Sequence, residues 1–423
     1  MEGRLSERKV EVGARPDAID RGAPGGRAAD RDAPGRGAGY QASPHALDAM
    51  LAHLQDEAPA VLSACGAPWA TLAVRLGGRT ATWVWSASTK GAVGAGDDDA
   101  PMRVTESTIV RWGSLAKPVT ALAVLRLAAL GRLGLDDPAV AHSASFYPSP
   151  AQLAGHRANA ITIRHLLAHT SGMGVLRYAG IGWGERRPRA ASVLSGLDGP
   201  WAWRLAHAPG AGQTYGSAAY VWLQSIVEDA CREPFEPGVR TLLLGPLGLD
   251  RVAMLGDGDV PGAIAWGVEA DGTPISARRS PVPGATGLFA TPGDVVRLFA
   301  ALVDRAGSIG EARPVGDRSG SLRDLFSPEW LSQALTNQAP GLPEAWGLGW
   351  RLQDSQDGPV FRHAGWPDGV LAYTEGLPRL GLLTCFEIGC AGAKRALVRL
   401  ADIARWHARE LAKATPASGA GDS

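Results

Sequence analysis

The segment Arg111-Trp112-Gly113-Ser114-Leu115-Ala116-Lys117-Pro118 holds a serine three residues before a lysine. Only five of the 42 basic residues in the chain are lysines, so arginine supplies nearly all of the positive charge. A lysine in a dry pocket can lose its proton at neutral pH, whereas an arginine keeps its proton. The spacing therefore indicates a proton acceptor, Lys117, beside a nucleophile, Ser114.

The local pattern places Ser114 at the start of a helix. Residues 115–130 are compatible with a helix, and Pro118 is tolerated only in the first turn, where its missing amide hydrogen has no partner anyway. Residues three apart share a helix face, so we expect Lys117 one turn above Ser114. The amino end of this helix would also offer backbone N–H groups to an oxyanion.

Composition limits the class of protein. Of the 423 residues 45% are apolar, which is typical of a globular protein with a large core. Basic and acidic residues number 42 each, so no charge excess predicts binding to nucleic acid or to a membrane. No apolar run has the length of a secretory signal or a membrane span, and we expect a cytoplasmic protein with a small-molecule partner.

The two ends of the chain are predicted to be disordered tails. Residues 1–42 are rich in Gly, Ala, Arg, Asp and Pro, and they bury too little apolar surface to offset the entropy of ordering. Ser6 and Lys9 repeat the serine-lysine spacing in this tail, so the spacing alone decides nothing. Residues 413–423 are predicted to be the second tail, which leaves 43–412 as the folded domain.

Periodicity within 43–412 predicts an α+β fold. A helix after Ser43 and a hairpin turning at Gly77-Gly78 open the domain, and strands return near its end before a final helix. The spacing between them is mostly helical. We therefore predict an antiparallel sheet flanked by helices, formed by residues 43–113 and 306–412, with an all-helical domain inserted over about 114–305.

Further landmarks follow Ser114 in a fixed order. They are Ile161-Thr162-Ile163-Arg164-His165-Leu166-Leu167-Ala168-His169-Thr170-Ser171-Gly172, Tyr215-Gly216-Ser217, Pro246-Leu247-Gly248-Leu249, Gly287-Leu288-Phe289-Ala290-Thr291, Trp346-Gly347-Leu348-Gly349-Trp350 and His363-Ala364-Gly365. With these landmarks, residues 44–410 resemble the serine β-lactamase and penicillin-binding-protein superfamily. The branch they resemble most is that of the class C β-lactamase-like esterases, which implies a β-lactamase-like fold.

The resemblance implies a role for each matching residue. Ser114 corresponds to the acylated serine, Lys117 to its partner base and Tyr215 to the tyrosine of the second motif. A serine hydroxyl needs a neighbouring base, and both neutral Lys117 and the phenolate of Tyr215 fit that part. In such a family Tyr215 would also protonate the leaving group and activate the hydrolytic water.

The third motif begins at His363, where family members carry lysine or histidine. The implied oxyanion hole pairs the backbone N–H of Ser114 with that of Trp366, the residue after Gly365. A protonated His363 would help Lys117 to lower the pKa of Tyr215. We therefore expect activity to follow the titration of His363 between about pH 5 and 8.

Two departures from the family pattern concern the substrate. Ser217 stands where penicillin-handling members usually carry asparagine, and Ala364 stands where a hydroxyl residue usually helps to bind the substrate carboxylate. A β-lactam loses these anchors, whereas an uncharged ester does not need them. The sequence predicts a serine hydrolase that acts on a small ester or amide through an acyl-Ser114 intermediate, with no metal and no cofactor.

Other interpretations fit the same residues. An acyltransferase or a D-amino-acid peptidase would use the same acyl-enzyme, and a penicillin-binding-like sensor would keep the fold without catalysis. Residues 173–204 carry three tryptophans and several arginines, a pattern that suits either a lid or an irregular surface loop. No pattern predicts the oligomeric state.

His165 and His169 are four apart on a predicted helix, the spacing of many zinc pairs. No glutamate follows His165, and the sequence offers no evident third ligand. We interpret both as structural histidines.

Overall fold

The computed structural model describes residues 44–87, 104–174, 181, 185–196, 202–255, 264–269, 271, 273, 275, 280–304, 320–367 and 369–414. The predicted tail 1–42 lies outside these residues, as do 415–423 of the second predicted tail. The last helix reaches Ala414, and Lys413 pairs with Glu410 on it, so the folded part continues two residues past the predicted boundary at 412.

The described residues form twelve α-helices and eleven strands. The helices are α1 (Pro44–Ala64), α2 (Ala116–Ala129), α3 (Pro150–Leu153), α4 (Ile163–Leu167), α5 (Ala190–Leu194), α6 (Ala218–Cys231), α7 (Phe235–Val239), α8 (Pro283–Thr286), α9 (Pro292–Phe299), α10 (Leu322–Leu325), α11 (Pro328–Ala334) and α12 (Lys394–Ala414). The strands are β1 (Trp69–Leu76), β2 (Arg79–Ser86), β3 (Ile109–Gly113), β4 (Ala253–Met254), β5 (Ile264–Ala265), β6 (Leu288–Ala290), β7 (Ala345–Trp346), β8 (Arg351–Ser355), β9 (Gly358–Gly365), β10 (Leu371–Leu377) and β11 (Leu382–Ile388).

The main sheet has seven strands in the order β2-β1-β11-β10-β9-β8-β7, and each neighbouring pair is antiparallel. The hairpin β1-β2 turns at Gly77 and Gly78, whose φ angles of 56° and 89° are open to glycine without steric penalty. Strand β1 from the start of the chain pairs with β11 near its end. The predicted antiparallel sheet flanked by helices is therefore confirmed.

One face of this sheet is covered by α1 and α12. Their apolar residues recur at helical spacing and meet the outward-facing side chains of β1, β10 and β11 in one core. The residues that form it include Leu47, Met50, Leu54, Leu397, Leu400, Ala404, Leu72, Tyr373 and Phe386. We call this the outer core.

The opposite face carries the larger inner core, which is built around α2. Twelve of the 14 residues of α2 are buried, and Lys117 is one of them. A helix buried on all sides has no polar face on which an amine could reach water. The fold therefore encloses the one lysine that the sequence singled out.

The inserted block 114–305 is mainly rather than entirely helical. Three short strands within it, β4, β5 and β6, join β3 in a second sheet of order β4-β6-β3-β5. Each of the three has only two or three residues, so none is long enough to produce an alternating pattern that a sequence could reveal. Strand β3 leads directly into the Ser114 segment. No helix among the described residues has the length and apolarity that crossing a membrane requires.

Loss of Arg405 is expected to destabilise the fold through the carboxylate it leaves behind. Arg405 on α12 donates from Nη1 to Glu375 Oε1 at 2.7 Å, and the Glu375 side chain is only 3% exposed. Removing one partner of a buried ion pair typically costs about 3–5 kcal/mol. We expect Arg405→Met to lower the free energy of unfolding, measured by urea denaturation, by about 3 kcal/mol.

Arg399→Met is the matched control on the same helix. Arg399 pairs with Glu57 of α1 at 2.9 Å, but the two side chains are 50% and 34% exposed. An exposed pair contributes about 0–1 kcal/mol, so this variant should unfold almost as the wild type does. Equal losses in the two variants would count against a special role for the Glu375 pair.

Candidate active site

Ser114 lies in the tight turn that joins β3 to α2. Gly113 just before it has φ 54°, and α2 starts at Ala116. The Lys117 backbone N–H donates to the Ser114 carbonyl oxygen at 3.0 Å, which closes the first turn. Ser114 therefore lies at the helix start, as predicted, and it is partly exposed.

The amine of Lys117 is buried against this serine. Its Nζ lies 3.2 Å from Ser114 Oγ and donates to the Ala285 carbonyl oxygen of α8 at 3.0 Å. The residue is fully buried, and this desolvation lowers the pKa of Lys117 to about 7. A substantial fraction of the amine is therefore neutral at neutral pH and can accept the serine proton.

Tyr215 borders the same space from the loop before α6. Lys117 Nζ lies 5.1 Å from the centre of the Tyr215 ring. The ring packs beside those of His169, Trp346 and His363, with centroid distances of 4.6, 5.6 and 6.0 Å. The structure thus brings Ser114, Lys117, Tyr215 and His363 together, as the sequence predicted.

His363 on β9 is neutral in this setting. It is buried, its Nδ1 donates to the Ala364 carbonyl oxygen at 3.0 Å, and its Nε2 has no hydrogen-bond partner within the described residues. Burial, followed by repulsion from Lys117, lowers the pKa of His363 to about 3. The expectation that a protonated His363 titrates between pH 5 and 8 is therefore corrected: the titrating group in that range is Lys117.

Gly365 brings β9 into contact with the serine turn. A Cβ atom at Gly365 would lie 2.1 Å from the Trp112 carbonyl oxygen and 3.2 Å from the Ser114 backbone nitrogen. Only glycine permits this approach, which brings the chain at Trp366 alongside the serine turn. Trp366 itself is 45% exposed.

The remaining two predicted substrate-binding residues differ in position. Ser217 precedes α6, two residues after Tyr215, and is partly exposed. Ala364 packs against the outer core and lies opposite Tyr373 of β10. Neighbouring residues of a strand point to opposite faces of the sheet. The side chain of Ala364 thus faces away from His363, which corrects the expectation that this position lines the substrate site.

His169 is the site residue that the sequence analysis missed. It follows α4 rather than lying on it, with φ 59°, and its buried ring contacts Tyr215. His165 does belong to α4, where its Nδ1 accepts the Thr162 N–H at 3.3 Å in a capping box. His165 therefore has the structural role that the sequence predicts. In the sequence, only the position of His169 in the ordered series of motifs distinguishes it from His165.

The segment 173–204 is only partly described, and Trp183 and Trp201 lie outside the described residues. Trp203 is buried against Phe146, and its Nε1 donates to the Leu194 carbonyl oxygen at 2.8 Å. This tryptophan therefore belongs to the inner core.

The chain is similar to a family model and to several known proteins. A family model described as beta-lactamase matches residues 26–382. Esterase EstB of Burkholderia gladioli is 31% identical over an alignment of 307 residues that covers 65% of this chain and 74% of that protein. Penicillin-binding protein 4 of Amycolatopsis lactamdurans is 26% identical over 290 residues, 66% of this chain and 72% of that protein.

Solved structures support the same fold. A structure described as a class C beta-lactamase superposes with a TM-score of 0.65 and 16% identity, and it covers 91% of this chain and 100% of its own. At that identity the likeness concerns the fold alone.

The chemical reactivity of Ser114 should follow the protonation of Lys117. Below its pKa of about 7 the amine is protonated and accepts no proton, so the reactive fraction falls as the pH falls. We expect the rate at which a fluorophosphonate modifies Ser114, followed by mass spectrometry, to rise about tenfold per pH unit below 7 and to level off above it. An inflection between about pH 5 and 6 that disappears in His363→Gln would contradict this assignment.

Gly365→Ala should lower the reactivity of Ser114 although it changes none of the proposed catalytic side chains. The added methyl must displace β9 or the Trp112 carbonyl group. Displacements of this size typically reduce reactivity roughly 100-fold, so we expect at least that loss in the fluorophosphonate rate.

Gly293→Ala in α9 is the matched control for Gly365→Ala. A Cβ atom at Gly293 would meet its nearest neighbour, Thr82 Cγ2, at an ordinary 3.6 Å. We expect wild-type labelling from this variant. Full labelling of Gly365→Ala as well would show that the close approach is not needed.

Proposed function

The chain belongs to the beta-lactamase family, and we propose that it is a serine hydrolase that cleaves small uncharged esters through an acyl-enzyme on Ser114. The observation that carries the proposal is the buried amine of Lys117, 3.2 Å from the Ser114 hydroxyl and with a pKa of about 7. A structural lysine gains nothing from such burial, whereas a base must be neutral and adjacent to the hydroxyl.

In the first half of the reaction Lys117 Nζ takes the proton of Ser114 Oγ as that oxygen attacks the ester carbonyl carbon. Two backbone N–H groups, those of Ser114 and Trp366, would stabilise the negative charge that develops on the carbonyl oxygen. Collapse of the tetrahedral intermediate breaks the bond to the alkoxide, which leaves with a proton. Lys117 is the proposed acylation base because its Nζ lies 3.2 Å from Oγ.

Tyr215 is proposed to act on the leaving group and the water. Its ring lies beside the Lys117 amine, so Tyr215 can give its phenolic proton to the departing oxygen and recover a proton from the Lys117 ammonium. In the second half of the reaction Tyr215 takes a proton from water as the water oxygen attacks the acyl carbon. The bond between that carbon and Ser114 Oγ then breaks, the acid leaves, and Oγ takes up a proton. His363 contributes a neutral wall to the site rather than a charge.

The charge state of the site favours an uncharged substrate. Lys117 is largely neutral above pH 7, and His363 is neutral throughout the physiological range. Neither group therefore offers a full positive charge to a substrate carboxylate, and Ser217 offers a hydroxyl where the penicillin-handling pattern has an amide. The relative named an esterase supports this choice, and the relative named a penicillin-binding protein makes a β-lactam the necessary comparison.

We expect the protein to hydrolyse p-nitrophenyl esters of short acids and to turn over a chromogenic cephalosporin poorly. Ser114→Ala should reduce ester hydrolysis by roughly 1,000-fold or more, because the acyl-enzyme is no longer possible. Initial rates with the two substrates at the same pH, together with mass spectrometry of the acylated protein, make the measurement.

Other outcomes of the same experiment would favour the alternatives. Efficient cephalosporin turnover with poor ester hydrolysis would overturn the esterase assignment. A penicillin adduct on Ser114 without turnover of any substrate would favour a sensor. Ester cleavage that speeds up with added alcohol or amine, and yields the transferred product, would favour an acyltransferase.

A further inference from the structure

We propose that His169 is a positioning residue that fixes the ring of Tyr215 in the site, an inference that rests on the proposed function. His169 has no place in the proton transfers described above. Its backbone and its ring both contact the segment that carries Tyr215. The backbone has a left-handed φ angle, and the ring nitrogens have no hydrogen-bond partner within the described residues.

The backbone of His169 holds the Tyr215 loop directly. Its carbonyl oxygen accepts the N–H of Thr214, the residue before Tyr215, at 2.9 Å. The next carbonyl along, that of Thr170, accepts the Gly210 N–H at 2.8 Å at the start of the same loop. The turn after α4 therefore anchors the loop at two points on either side of its bend.

The same turn reaches two other elements of the site. The Leu167 carbonyl oxygen, two residues earlier, accepts the Tyr220 hydroxyl of α6 at 2.8 Å. It also accepts the Gly349 N–H at 3.3 Å, from the segment that begins with Trp346. One turn thus ties together the three pieces of chain that surround Tyr215.

The imidazole of His169 forms the back of the ring cluster. Its centroid lies 4.6 Å from that of Tyr215, 4.8 Å from that of Trp346 and 5.1 Å from that of Tyr220. The residue is 1% exposed, so these rings replace solvent on the sides where they pack. Rings packed this closely restrict one another to a few orientations.

Two local penalties coincide at His169. Neither ring nitrogen has a hydrogen-bond partner within the described residues, and φ is 59° at a residue that is not glycine. Unsatisfied buried polar atoms and left-handed backbone are both unfavourable, and such strain persists where the surroundings impose it. An apolar side chain would avoid the first penalty and a glycine the second, so their coincidence beside Tyr215 points to a functional constraint.

The ring acts through its shape and not through charge. Burial, with repulsion from Lys117 and His363, lowers the pKa of His169 well below its ordinary value. A neutral ring adds no positive charge next to the amine that must stay neutral. Its contribution is to limit where the Tyr215 ring can lie.

The test compares two substitutions that separate the ring from the backbone. His169→Asn keeps the tolerance of left-handed φ but removes the ring, whereas His169→Phe keeps a planar ring without nitrogens. We expect the asparagine variant to fold with a melting temperature close to that of the wild type. Its kcat for ester hydrolysis should fall roughly 100-fold with little change in KM, and the phenylalanine variant should keep most of the wild-type kcat. Fluorophosphonate labelling of Ser114 should stay near the wild-type rate in both variants, because it depends on Lys117.

His165→Gln is the matched control from the same motif. His165 caps α4, and glutamine suits that capping position, so this variant should label and hydrolyse as the wild type does. A wild-type kcat in His169→Asn, or equal losses of kcat in the asparagine and phenylalanine variants, would overturn the positioning role of the ring.

A second measurement keeps this inference separate from the proposed function. In protein with isotope-labelled tyrosine, the NMR signals of Tyr215, assigned with Tyr215→Phe, should shift in His169→Asn and indicate faster ring flips. Unchanged signals would overturn the positioning role. Absence of labelling at Ser114 in the wild type would overturn the proposed function, and the NMR comparison would still decide the role of His169.

Discussion

The dry contact between the Lys117 amine and the Ser114 hydroxyl is the constraint on which the rest of the structure depends. An amine stays near neutrality only if each side that water could reach is closed. Helix α2 is therefore buried all round, and α8 lies across it, held by the Thr120 hydroxyl at 2.7 Å from the Gly284 carbonyl oxygen. On another side the backbone at Gly349 lies so near α2 that an added Cβ atom would come within 2.8 Å of the Ala121 Cβ atom. The inserted block and the main sheet thus contribute opposite walls of one pocket.

The same burial determines which of the neighbouring basic groups binds a proton. Lys117, His363 and His169 are three basic groups in one buried space, and a proton on any of them opposes a proton on the others. The lysine has the highest intrinsic affinity for protons, so it is the first of the three to bind a proton as the pH falls. Its charge then keeps both imidazoles neutral. We therefore propose that the histidine of the third motif contributes no positive charge to the site. A neutral imidazole at this position, in place of a charged lysine, fits a site that is proposed to receive an uncharged substrate.

The sequence predicted the parts of this site that depend on local rules and on the order of motifs. Ser114 and Lys117 follow from helix geometry, and Tyr215 and His363 follow from their place among the landmarks. The charge of His363 could not be predicted, because it depends on burial by segments far apart in the chain. The side-chain direction of Ala364 was missed for a related reason: the alternation along β9 is fixed only once Gly365 is seen against Trp112. The short strands β4 to β6 carry too few residues for any periodicity, so the second sheet appears only in three dimensions.

Burial of Lys117 also links the reactivity of the site to the stability of the fold. Its pKa is about 7 in the folded protein and about 10.4 in an unfolded chain, so the unfolded state binds more protons throughout that interval. Stability therefore rises as the pH rises from about 7 to 10, and the full penalty, roughly 4–5 kcal/mol, applies below pH 7. That penalty is comparable to much of the net stability of an ordinary domain, so the inner core around α2 must be large enough to offset it. The neutral amine that is proposed to activate Ser114 is also the state in which the fold is most stable. Acidification weakens the fold between about pH 10 and 7, and it lowers the expected reactivity of Ser114 only below about pH 7.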